Sequence, residues 1–244
     1  MFFTKAILAA SVAASGVVAA PSLFERQQGT PNEEGTHDGY FFSWWSDGAS
    51  PATYTNLAGG SYSVEWQSGG NLVGGKGWNP GSARDVSYEA DWYVENNGNS
   101  VSSTSTPYVY PWKLGTQLTW SLQYLTVYGW TVDPLIEYYI VEAHGEYNPG
   151  SAGEPRGSVD YDGSTYQLYE ATRVDAPSIN GTQTFQQYFA VREQHRTSGT
   201  VDTGVFFDAW AGANMPLGNH YYMILATEAY QSQGNSQVTI TSGP

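Results

Sequence analysis

The chain of 244 residues is long enough for one sizeable core, and its formal net charge of -14 with 13% charged residues argues against a polyanionic partner such as nucleic acid, which calls for a basic patch. Without cysteine it forms neither disulfides nor thiolate metal sites. Its four histidines, His37, His144, His195 and His220, show no ligand spacing, so no metal and no cofactor is expected.

In chain order, residues 1–19 read as a secretory signal peptide: Lys5 stands ahead of a small-residue apolar run that ends at Val17, Val18 and Ala19. That run is too short and too alanine-rich for a membrane span, and no other segment offers an anchor, so the expected product is a secreted, extracellular monomer without a membrane partner. Residues 20–26 read as a propeptide ending at Glu25 and Arg26, and residues 27–244 as a single catalytic domain. Short runs with period-two alternation follow at Ser61–Trp66, Tyr124–Trp130, Thr165–Val174, Phe185–Glu193 and Gln237–Thr241, the pattern of an all-β protein of two antiparallel sheets. One segment, Gly204–Ala213, suits a helix: Val205, Phe206, Ala209 and Trp210 approximate one face, with Thr203 available as a cap.

Two further strand-like runs, Pro134–Glu142 and Tyr221–Gln231, each set one glutamate in an aromatic row. Side chains alternate along a strand, so Glu137 shares a face with Tyr139, and Glu228 shares one with Tyr222, Ile224, Ala226 and Tyr230. A carboxyl on an apolar sheet face is costly to bury, and two such groups point to paired-carboxylate glycoside hydrolysis.

From Gly39 onward the chain resembles the glycoside hydrolase family 11 endo-1,4-β-xylanases. The resemblance is carried in order by DGYFFSWWSDG, GGSYSVEW, GNLVGGKGWNPGS, YLTVYGWT, DPLIEYYIVE, APSINGTQTFQQY, RTSGTV and ATEAYQSQG. Departures are Ala229 where the family has Gly and Phe189 where it has Trp. The resemblance implies a β-jelly roll whose inner sheet curls around a long cleft, with one helix outside and a thumb hairpin, Ala176 to Gln183, over the cleft. It implies xylan and xylo-oligosaccharides as substrates, Glu137 as nucleophile and Glu228 as general acid/base of a retaining mechanism. Tyr128, Tyr139, Arg173 and Gln187 fall on motif positions around the reacting sugar, while Tyr124 and Trp130 share the face of Tyr128. Trp45 matches a sugar-stacking indole, Tyr222 and Tyr230 flank the acid/base, and Pro177, Ser178 and Ile179 match the thumb tip. Asn71 matches a position beside the acid/base that is Asp in acid-active members and Asn in those active nearer neutrality. Asn180 opens an Asn-Gly-Thr glycosylation sequon on the thumb, and Asn-Gly also fits a tight hairpin turn.

Residues 101–123 interrupt this pattern, since the family motif NGNSYLTVYGW is restored only when Ser100 is joined to Tyr124. Val-Ser can be encoded by GTAAGT, Leu-Thr can contain a branch sequence and Gln can be CAG, so the segment reads as a translated intron. The other reading is an inserted loop whose Tyr108, Tyr110, Trp112 and Trp120 extend the cleft rim. A carbohydrate-binding jelly roll, a β-glucanase of the same fold and a plant-defence elicitor share many of these features, but the paired acids disfavour the first and the xylanase-like motifs the second.

Overall fold

The computed structural model describes residues 29–94, 122–145 and 147–244. The stretches expected to be a signal peptide and a propeptide, and nearly all of residues 101–123, lie outside the described residues. Numbered along the chain, the strands are β1 (Glu33–His37), β2 (Tyr40–Ser46), β3 (Ala52–Asn56), β4 (Ser61–Trp66), β5 (Asn71–Trp78), β6 (Asp85–Val94), β7 (Leu122–Val132), β8 (Ile136–His144), β9 (Glu154–Tyr161), β10 (Ser164–Ser178), β11 (Gly181–Arg192), β12 (Ser198–Asp202), β13 (Asn219–Tyr230) and β14 (Gly234–Ile240). They form a nine-stranded sheet, β1-β2-β5-β13-β7-β8-β11-β10-β9, and a five-stranded sheet, β12-β6-β14-β4-β3. β11 runs parallel to β8, and every other pair is antiparallel. This is the jelly roll.

The long sheet is apolar on both faces, which is why its central strands show aromatic residues at odd and even positions alike. One face packs on the short sheet through Phe42, Trp44, Val127, Tyr138, Leu225 and their neighbours, against Tyr62, Val64, Tyr88 and Trp92. The other face carries a separate aromatic cluster that includes Tyr128, Trp130, Tyr139, Phe185 and Phe189. The glycine run of β5 lets β13 approach closely: a Cβ at Gly75 would lie 1.9 Å from the Leu225 carbonyl oxygen.

α1 (Thr203–Gly212) buries Phe206 and Trp210 against the core, with Val205 and Ala209 partly buried beside them, as the helical face predicts. Its cap differs from expectation. Asp202, not Thr203, is the N-cap and accepts from the Gly204 amide at 2.9 Å, while the Thr203 hydroxyl donates to the Arg84 carbonyl. A carboxylate is the stronger acceptor and also complements the helix N-terminus. β1 was not foreseen, because its polar sequence EEGTH shows no apolar alternation.

The two sheets are also joined by a buried ionic centre. Glu142, fully buried on β8, accepts from Tyr166 at 2.5 Å, from Tyr88 of the short sheet at 2.7 Å and from Arg196. Removing the cation strands a buried carboxylate. Arg196→Met should therefore cost about 3–5 kcal/mol, lowering the thermal midpoint by roughly 10 °C; a calorimetric midpoint unchanged from that of the parent chain would contradict this.

Candidate active site

β7, β8, β11 and β13 set the floor of a cleft of about 750 Å³ on the second face of the long sheet. β7 lies between β8 and β13, so Tyr128 pairs with Tyr139 on one side and Ile224 on the other. On β8, Glu137 points into the cleft and is 8% exposed. Both its oxygens are held: Tyr128 Oη donates to Oε1 at 2.7 Å and Gln187 Nε2 to Oε2 at 2.6 Å. Parallel pairing of β11 with β8 places Gln187 directly beside Glu137. Tyr128 is fixed in turn by Trp130 Nε1, which donates to its hydroxyl at 2.6 Å.

Glu228, on β13, stands opposite Tyr124 and Val73. Its Oε2 is buried with no hydrogen-bond partner. The Tyr139 hydroxyl interacts with both carboxyls, and the Arg173 charge acts on both. Burial raises the Glu137 carboxyl above the usual range, but hydrogen bonds from Tyr128, Gln187 and Tyr139 and the charge of Arg173 all oppose that rise. Burial pushes Glu228 up much further, and the neighbouring Glu137 charge adds to it; only Tyr139 and Arg173 work the other way. The two carboxyls thus stand in unlike surroundings: both are raised, and Glu228, with fewer donors, is raised much further.

All of the expected sugar-site residues line this cleft. Trp45 and Asn71 stand on the β2–β5 side, where Trp45 pairs with Val73 and Asn71 with Tyr230. Tyr124, Tyr128, Trp130 and Tyr139 line the floor, with Tyr222 packed between Phe41 at 5.3 Å and Tyr128 at 6.1 Å between ring centroids. Tyr230 is 41% exposed at the rim. Arg173, Pro177, Ser178 and Ile179 come from the β10 side of the thumb, whose tip turns at Ile179 and Asn180 between the paired Ser178 and Gly181, so Gly181 follows the turn instead of forming its centre; its φ of 76° is the left-handed conformation that glycine supplies. Ser178 Oγ donates to the Gly181 carbonyl at 2.7 Å and accepts from the Asn180 amide at 3.0 Å, and Asn180 itself is exposed.

Several lining residues lie outside the sugar-site set that the motifs imply. Phe185 and Phe189 share the β11 face of Gln187, a parity visible in the sequence; Phe189 stacks on Tyr139 at 4.7 Å, filling the place where the family has Trp. Ala229 is buried and belongs to the core between the sheets, so this departure does not alter the cleft lining. Asn32, Glu33, Glu34 and Ser43 also line the cleft. The fold brings His144 and His195 together at 4.2 Å between ring centroids, although their spacing gives no sign of it. Burial and then His144 lower the His195 pKa to about 4.

A jelly roll with two unlike carboxyls in an aromatic cleft defines a glycoside hydrolase. The sequence profile described as Glycosyl hydrolases family 11 matches residues 37–113 and 112–239, and the chain belongs to that family. It is 59% identical over 238 residues to "Ethylene-inducing xylanase 4" of Verticillium dahliae, covering 98% of this chain and 97% of that protein. It is 51% identical over 244 residues to "Endo-1,4-beta-xylanase" of Thermomyces lanuginosus, covering 98% and 97%. A solved structure from a comparison of two major endo-1,4-beta-xylanases of Trichoderma reesei superposes with a TM-score of 0.67 at 31% identity, covering 86% of this chain and 100% of that one.

Replacing Glu137 by Gln removes the like charge but not the burial around Glu228. The Glu228 pKa should fall in Glu137→Gln while remaining above the ordinary carboxylate range. Carbon-13 titration of the labelled carboxyl reads this directly, and an unchanged or higher value would show that Glu137 does not hold the Glu228 proton.

Proposed function

We propose that this chain is a secreted endo-1,4-β-xylanase that hydrolyses internal bonds of xylan with retention of anomeric configuration. The observation that carries the reading is the asymmetry of the two carboxyls: Glu137 has a donor on each oxygen, whereas Glu228 Oε2 is buried without one. Donors on both oxygens favour an ionised nucleophile, and an enclosed oxygen without a donor favours a protonated acid. The xylan substrate follows from family membership and from relatives that carry xylanase in their names.

In this mechanism Glu137 attacks the anomeric carbon as Glu228 gives its proton to the departing glycosidic oxygen, leaving a glycosyl ester on Glu137. Ester formation removes the Glu137 charge, which makes Glu228 a stronger acid and its carboxylate available. Glu228 then takes a proton from water, water attacks the same carbon, and the Glu137 carboxylate is released. Activity falls at low pH as Glu137 protonates and at high pH as Glu228 loses its proton. Asn71, beside this pair with a neutral amide, adds no further titrating acid. Trp45 and the tyrosines offer ring faces for the apolar faces of successive sugars.

Glu228→Ala should retain turnover on aryl xylosides with an acidic leaving group, which need no proton, and azide should restore the second step as a β-glycosyl azide. Glu137→Ala should form no glycosyl-enzyme. Equal loss on aryl and natural substrates, without azide rescue, would overturn the role of Glu228, and early products of inverted configuration would overturn the retaining mechanism.

We infer also that residues 101–123 are absent from the mature enzyme. The family match breaks into two stretches that meet at residues 112 and 113, and joining Ser100 to Tyr124 restores an uninterrupted motif. Leu122 and Gln123 stand in β7 opposite Tyr230 and Ala229, so in the joined chain Asn99 and Ser100 would occupy those two positions. The deleted chain should be secreted in higher yield with a higher thermal midpoint, because the removed segment includes Val109, Tyr110, Trp112 and Leu114, apolar residues that favour association when exposed. A transcript that encodes the 23 residues, with a full-length protein that is the more stable, would overturn this.

A further inference from the structure

One wall of the cleft carries acids that bond cleavage does not use. β1 closes the long sheet on the side away from the thumb, and Glu33 and Glu34 line the cleft there beside Trp45. Glu34 stands opposite Ser43 in the β1–β2 register, on the cleft face. Ser43 Oγ donates to its Oε1 and Tyr221 Oη to its Oε2, both at 3.4 Å, yet the residue stays exposed to the cleft solvent. Its charge is felt further along the cleft floor: Tyr222 is held from ionising first by burial, and the Glu34 charge adds to that effect. Among the described lining residues the one cation is Arg173, on the thumb strand, where it faces Glu137 and Glu228. Among the described residues that line the β1 wall, none is a cation that would offset the Glu34 carboxylate.

We propose that Glu34, with Glu33 on the opposite face at the cleft edge, sets the charge specificity of the cleft, favouring xylan with neutral branches over xylan segments that carry uronic acid side groups at the β1 wall. The inference rests on the xylanase reading and narrows its substrate. A xylose chain lying along Trp45 places its branches toward one wall or the other, and a uronate turned toward β1 comes within a Debye length of Glu34. The groups are exposed, so the effect is moderate: about fivefold at low salt, or about 1 kcal/mol, the size of one close like-charge contact in water.

The test compares kcat/KM on glucuronoxylan, arabinoxylan and unbranched xylohexaose, at constant pH and at about 20 mM and about 500 mM NaCl, where the screening length falls severalfold. The enzyme is the full chain and its Glu34→Gln and Glu33→Gln/Glu34→Gln variants, whose amides keep the shape and the acceptor oxygen. Normalised to xylohexaose for each protein, the glucuronoxylan rate of the parent enzyme should rise about fivefold with salt while the arabinoxylan rate does not. The double variant should show the raised rate already at low salt. A glucuronoxylan rate indifferent to salt overturns the proposal, as does a salt dependence that survives intact in the double variant, which would assign it to the net charge of -14 instead. Absence of xylohexaose cleavage by the parent enzyme would overturn the xylanase reading and this inference together.

Discussion

The hydrogen bond from Tyr128 to Glu137 organises the floor of the cleft. It fixes one oxygen of a carboxylate that is almost entirely removed from water, and a buried charge persists only when its lone pairs find donors. Tyr128 meets that requirement because Trp130 holds its hydroxyl from the other side and the packed rings of Tyr139 and Tyr222 leave it little freedom. The second oxygen depends on topology, since only the parallel alignment of β11 with β8 brings Gln187 level with Glu137.

Burial raises both carboxyls. What separates them is the Glu137 charge acting on Glu228 together with an uneven supply of donors, and that supply is built into adjoining strands. Glu137 draws on β7 and β11, whereas Glu228, on β13, stands opposite Val73 of β5 and Tyr124 of β7. Arg173 acts on both and so cannot create the difference. The apolar neighbour on β5 contributes too, because a donor there would bring Glu228 closer to its partner.

The cleft was largely legible in the sequence because a strand of period two writes its faces directly: Glu137 with Tyr139, and Glu228 with Tyr222 and Tyr230, could be grouped without coordinates. Assigning chemical roles to them took the family resemblance, since parity says nothing about which acid ionises. Relations between strands were not legible. Neither the Gln187 contact with Glu137 nor the His144–His195 pair follows from spacing along the chain. Glu34 went unread for a local reason: β1 is an edge strand with exposed side chains and no apolar alternation. Thr203 lost the cap to Asp202 by one residue, a distinction that depends on where β12 gives way to the helix.

β1 is the outermost described strand of the nine, with one side of its backbone unpaired by any other described strand. Such an edge is a template on which another chain can add itself, and a sheet as apolar as this one would make that addition favourable. Two adjacent glutamates on a strand of five residues oppose it, because they place charge on both faces of a short edge. Glu34 on the cleft face and Glu33 on the other thereby work as a guard against intermolecular sheet growth.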